Sequence, residues 1–153
     1  MARTVSLCHP AARTDRFRAT LTATTSRSAV QRQSASGSAL KRSKPLEARG
    51  FRYSYDMLGE AATTSADAAR YYRDYENAIH AIGEAAAGRG VYEGPGISIK
   101  LSALPPRYAR AKAQRVMQEL LPNVKKLAQL AKHYDIGLNI DAEEADRLEL
   151  SLD

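Results

Sequence analysis

The chain has no tryptophan and a single cysteine, Cys8. One thiol cannot close an internal disulfide, and it leaves the redox compartment open. Aromatic anchoring falls to eight tyrosines and two phenylalanines. No apolar run reaches the length of about 18 residues that a spanning helix needs, so no transmembrane helix is expected. No Cys/His cluster has metal-ligand spacing, which removes the common structural zinc sites. Acidic residues are scarce at one end only. Residues 1–44 hold nine Lys or Arg and one acid, Asp15, whereas the remainder holds 14 basic and 16 acidic residues. The net charge of +6 therefore belongs to the head, and the body is close to neutral. A basic face on a folded domain would suggest nucleic acid. Here the charge sits in a stretch that lacks the pattern of a folded one.

What is present is enough for one domain: 153 residues, 44% of them hydrophobic. Residues 1–38 are rich in Ser, Thr, Ala and Arg and show no sustained apolar period of 2 or 3.6. Such a segment cannot bury enough surface to offset its ordering entropy, so it is expected to be a disordered basic extension. Three readings compete for it: an organelle transit peptide, a nucleic-acid-binding arm, or an extension without function of its own. The last is preferred.

From Leu46 the texture changes. Residues 51–58 alternate large apolar or aromatic residues with polar ones, which predicts a strand. Thr64 to Asp67 supply N-cap candidates. A helix is predicted over 66–87, with Tyr71, Tyr75, Ile79 and Ile82 on one face and Gly88 and Gly90 ending it. The pattern then repeats. Residues 97–102 alternate at period 2, and 107–133 form a second helical stretch with Val116, Leu120, Val124, Leu127 and Leu130 on one face. Pro122 should kink or split it. Residues 136–140 read as a third strand, and a third helix begins near Ala142. Consecutive strand–helix units predict an α/β fold with a parallel sheet.

Parallel βα folds bind ligands at the carboxyl ends of their strands. The first strand ends at residues 56–60, the second carries Lys100 late in its length with Ser102 after it, and the third ends at Asp141. A lysine in an apolar strand is costly to bury unpaired. Lys100 is thus either a ligand-facing cation or one half of a structural ion pair, and the spacing alone leaves both open. Asp141 is either a pocket carboxylate or the cap of the next helix. The acids from Asp141 to Asp146 cluster at a helix start, where the dipole accounts for them without a metal. His80 lies beside the apolar helix face and reads as packed or solvated, and His133 suits a helix C-terminus. Gly94-Pro95-Gly96 precedes a strand and reads as a turn; a phosphate loop would precede a helix.

Three blocks carry a family resemblance: Gly50 to Ala62 (GFRYSYDMLGEAA), Gly88 to Leu104 (GRGVYEGPGISIKLSAL) and Tyr134 to Glu149 (YDIGLNIDAEEADRLE). Long, ungapped and in order, they resemble the opening of the proline dehydrogenase barrel of bifunctional proline utilization A flavoproteins. The resemblance covers residues 39–153 and leaves out 1–38; a rearranged start would account for both. It implies a partial (βα)8 TIM-type barrel of about three βα units, less than half of the eight such a barrel needs. It implies oxidation of L-proline to 1-pyrroline-5-carboxylate with FAD, in proline catabolism to glutamate. Electrons pass to a quinone acceptor, so the protein would be cytoplasmic with peripheral contact at the inner membrane. A second domain would use NAD. Residue by residue, Lys100 matches the lysine facing flavin and substrate carboxylate, Asp141 an aspartate of the substrate pocket, and Glu60 a glutamate that gates the site. One departure is Pro105-Pro106, where the family commonly has His-Pro. The family's paired arginines and most FAD contacts lie on later strands, outside these 153 residues. The fragment is therefore expected to be inactive alone and not to retain FAD. The alternatives are a non-catalytic remnant and a nucleic-acid-binding protein acting through its head; nucleic acid is not expected as a partner.

Overall fold

A computed structural model of the chain describes residues 18–22, 29–57, 61–141, 143 and 145–153. The elements run β1 (Arg18–Thr22), α1 (Ala29–Glu47), β2 (Arg52–Asp56), α2 (Ser65–Ala86), α3 (Gly90–Glu93), β3 (Gly96–Ile99), α4 (Ala113–His133), β4 (Gly137–Ile140) and α5 (Leu148–Leu152). The four strands are parallel and lie in chain order, β1-β2-β3-β4. Asp56 pairs in register with Ser98, and Ser98 with Asn139.

Period 2 divides the strands. Tyr53 and Tyr55 of β2 and Ile97 and Ile99 of β3 are buried in one apolar cluster with Tyr75, Ile79 and Ile82 of α2 and Val116, Leu120 and Leu127 of α4. The three long helices pack side by side, α1 on α2 and α2 on α4. For α2 and α4 this is the amphipathic arrangement the spacing predicted: each lays its apolar stripe on the sheet. Burial of a side chain such as Ile79, 0% exposed, contributes about 1.5–3 kcal/mol.

Local chemistry sets where α2 begins. Thr64 Oγ1 accepts from the Asp67 N–H at 3.1 Å, and the Asp67 carboxylate accepts from the Thr64 N–H at 3.2 Å, a reciprocal capping box. Hydrogen bonds from the Thr64 and Thr63 hydroxyls hold the Asp67 carboxyl below its usual range. That contribution is present above the unfolded carboxylate pKa and is lost as pH falls through the lowered value. Thr64→Ala is expected to cost about 1 kcal/mol, seen as a lower urea midpoint.

Four expectations change. Within residues 1–38 no regular structure was expected, yet Arg18–Thr22 form a strand and α1 starts at Ala29. The strand joins β2 through backbone groups, which need no apolar period and satisfy an otherwise open edge. The helix extends back from its docked part, where Ala39 and Ser43 are buried, through Ala- and Gln-containing turns. Residues 1–17 and 23–28 lie outside the described residues. Second, β3 stops at Ile99 and a 3-10 turn covers Leu101–Ala103, so Lys100 sits just past the strand. Third, α4 runs from Ala113 to His133 without a break at Pro122. Pro122 is exposed, and solvent can take up the carbonyl its ring leaves without a donor. Finally, after β4 a 3-10 turn at Ala145–Arg147 precedes the short α5. No helix among the described residues is long and apolar enough to cross a membrane.

Candidate active site

The sheet face turned away from the helices is polar. It follows from the same alternation: Ser54 and Asp56 of β2, Ser98 of β3 and Asn139 of β4 point opposite to the buried tyrosines and isoleucines. The Ser54 and Ser98 hydroxyls are 3.2 Å apart, and Asn139 Nδ2 donates to Ser54 Oγ at 3.2 Å. At the amino end of this face Arg52 pairs with Glu93.

At the carboxyl end stands a three-charge cluster. Lys100 Nζ donates to Asp56 Oδ1 at 2.7 Å and to Asp141 Oδ2 at 3.3 Å. All three side chains are mostly buried, at 16%, 17% and 20% exposure for Lys100, Asp56 and Asp141. Two backbone bonds fix the cluster. The Asp141 N–H donates to the Ile99 carbonyl at 2.9 Å, carrying the β3–β4 ladder one residue past the strands. The Lys100 N–H donates at 3.0 Å to the hydroxyl of Tyr75, which reaches up from α2 through the core. Burial pushes the Tyr75 phenol far above its ordinary range, so it remains a neutral acceptor.

For Lys100, burial is the largest effect and works against the ammonium. The hydrogen bond and charge of Asp56, with the charge of Asp141, outweigh it and hold the pKa above the usual lysine value. The stabilisation gained is fully present below the unfolded lysine pKa of about 10.4. It is lost only as pH rises through the raised value. Lys100 is therefore a cation at every physiological pH.

Two of the three sequence candidates, Lys100 and Asp141, are thus brought together, and Glu60 lies outside the described residues. Asp56 was recognised only as a strand end, yet it makes the shorter contact with Lys100. The signal was its place at the carboxyl end of β2, but its partner depends on a register that spacing does not supply. Asp141 does not stand at the N-cap of the next helix, a position held by Arg147; its carboxylate turns to Lys100. Ser102 and Glu143 were also passed over, and they bond to each other beside the cluster. Among the described residues, no group of three His, Cys, Asp or Glu is placed to hold a metal ion. His80 is exposed and bonds the Tyr134 hydroxyl at 2.8 Å, away from the cluster.

Comparison with known proteins decides the family. The sequence pattern described as "Proline dehydrogenase" matches residues 39–153. The chain belongs to the proline dehydrogenase family. Its relatives include the bifunctional protein PutA of Rhizobium meliloti, 75% identical over 115 residues that cover 75% of this chain and 9% of the relative. The PutA protein of Salmonella typhimurium is 70% identical over the same share of each. Among solved structures, a crystal structure of Bradyrhizobium japonicum proline utilization A superposes with a TM-score of 0.64 at 56% identity. It covers 66% of this chain and 10% of that one. The chain thus spans about a tenth of the length of the relatives it matches. The matched region holds β2 to α5, and with them every member of the Lys100 cluster.

Proposed function

We infer that residues 39–153 supply the opening units of a (βα)8 proline dehydrogenase barrel, and that the Lys100–Asp56–Asp141 cluster is part of its L-proline site. The observation that carries this is the Lys100 ammonium held between two carboxylates at the carboxyl ends of adjacent parallel strands. Strands in chain order, with helices packed on one another along one face, suit a barrel wall. A doubly wound sheet reverses its order instead.

The cluster carries one positive and two negative charges, a net negative site suited to the cationic ring amine of proline. Asp141 and Asp56 orient that amine. Lys100 keeps the two carboxylates from repelling each other and offers a cation toward the substrate carboxylate. The residues fit an FAD-dependent site to this extent: a fixed, always protonated lysine is bonded to the acids that would hold the substrate. FAD would supply the hydride acceptor for the carbon beside the ring nitrogen. The chain's own task is to place that carbon and to bind the charges around it. Glu60 joins the site as its gating carboxylate. Electron transfer to quinone would bring peripheral membrane contact to a cytoplasmic protein.

The matched region holds three of the eight strands of a closed barrel, so the 153 residues alone are expected to bind FAD weakly and to turn over no proline. The test is a chimera in which residues 39–153 replace the matching 115 residues of the R. meliloti relative. The chimera should purify with a flavin band near about 450 nm that L-proline bleaches, and the isolated chain should not. A folded, flavin-bearing chimera inert to proline would overturn the proposal. A flavin band on the isolated chain would overturn the expected weak binding.

A further inference from the structure

Ser102 joins three loops at the rim of the sheet. It is 0% exposed. Its N–H donates to Glu143 Oε2 at 2.9 Å, and its hydroxyl donates to Glu143 Oε1. The same hydroxyl accepts from the Ala61 N–H at 3.0 Å, and its carbonyl accepts from the Ala62 N–H at 3.0 Å. The Ala62 carbonyl in turn accepts from the Arg107 N–H at 2.8 Å. Segments after β2, β3 and β4 are thereby tied at one side chain.

The backbone beside these bonds is unusual. Ala61 has φ 52° and Arg107 has φ 57°, both left-handed and unfavourable for residues with a Cβ. Such conformations persist where surrounding contacts over-determine them, and they concentrate at functional sites. In the chain, Ala61 follows Glu60, Ser102 stands two residues after Lys100, and Glu143 two after Asp141. No hydrogen bond links Ser102 or Glu143 to the Lys100 side chain, whose partners are Asp56 and Asp141.

We propose that the Ser102–Glu143 pair is a positioning device that holds the segments carrying Ala61, Lys100 and Asp141 in one mutual arrangement. The proposal rests on the proline-oxidising reading above. Serine suits the post because one small hydroxyl both accepts from the Ala61 amide and donates to a carboxylate. Alanine loses both bonds, and threonine adds a methyl where nothing is exposed. Glu143 acts by hydrogen bonding; its charge at the following helix start is secondary.

Two measurements test it. In the full chain, hydrogen exchange at the Ala61 and Ala62 amides should quicken in Ser102→Ala and in Glu143→Ala. In the flavin-bearing chimera, each substitution should lower kcat/KM for L-proline by about 10- to 100-fold, mostly through KM, with flavin content unchanged. The double variant should lose less than the product of the two singles, because both break the bond between the Ser102 hydroxyl and Glu143. Glu143→Gln should remain within about threefold of the parent, since an amide can still accept and donate there. Glu143→Ala, at the partly exposed end of the pair, keeps the test open should Ser102→Ala fail to fold. Unchanged exchange at both amides would sink the proposal, as would single variants as active as the parent, losses that multiply, or a glutamine as damaging as alanine. An unsubstituted chimera inert to proline would instead remove the proline reading, and the exchange result would still decide whether the pair holds the loops.

Discussion

Lys100→Met in the flavin-bearing chimera is expected to lower kcat/KM for L-proline by about 100-fold or more. Two effects combine. The substitution removes the only cation bonded to Asp56 and Asp141 among the described residues. It also leaves two largely buried carboxylates side by side. Without the ammonium nothing offsets the repulsion between them, and the two groups that orient the ring amine lose their shared anchor. The fold should pay about 1–2 kcal/mol for the lost charge-assisted hydrogen bonds. Lys100→Arg should not restore the parent, because a planar guanidinium cannot occupy the same point between two aspartates. Steady-state kinetics and a denaturation midpoint read all of these. Activity within about threefold of the parent would show that Lys100 only ties the strands together, since no cation would then be needed at the substrate.

Gly83→Ala should destabilise the chain by about 2 kcal/mol, although alanine is the better helix former by about 1 kcal/mol. A Cβ at position 83 would fall 2.1 Å from Tyr134 Cγ and within 2.6 Å of both Cδ atoms. These ring atoms lie near the backbone of Tyr134, so a small χ rotation does not clear them. The ring is held besides. Its hydroxyl bonds His80 Nδ1 at 2.8 Å, and its edge meets the His80 and His133 rings with centroids 5.6 and 5.2 Å away. The clash must then separate α2 from the end of α4, two helices that share the core. Chemical denaturation should show a lower midpoint with an unchanged slope. A midpoint equal to or above that of the parent would mean that Tyr134 swings free and that this helix contact is loose.

The elements that periodicity located are those whose side chains face two different environments. Tyr75, Ile79 and Ile82 marked α2 because one stripe is buried, and Thr64 and Asp67 marked its start because a cap is a local device. Ile97 and Ile99 marked β3 for the same reason. Lys100 and Asp141 stood out as charges at the ends of apolar strands. The features that escaped depend on partners distant in sequence. Asp56 meets Lys100 across 44 residues, and Glu143 meets Ser102 across 41. Acids near a helix start have a local explanation, and that explanation hid Glu143. The strand Arg18–Thr22 escaped because its pairing is made by backbone atoms against β2, which no pattern in its own side chains announces. The end of β3 was misplaced by one turn because Ser102 gives its N–H to Glu143 and its carbonyl to Ala62, outside any ladder.

The central claim is that Lys100 is a permanently charged group shared by two aspartates at the mouth of a proline site. Labelling lysine ε-carbons with 13C in the flavin-bearing chimera, under anaerobic conditions, reads that claim at one atom. The Lys100 resonance should titrate above free lysine, fall back toward it in Asp56→Asn, and shift when L-proline is added. A resonance that titrates like free lysine and ignores L-proline would contradict it.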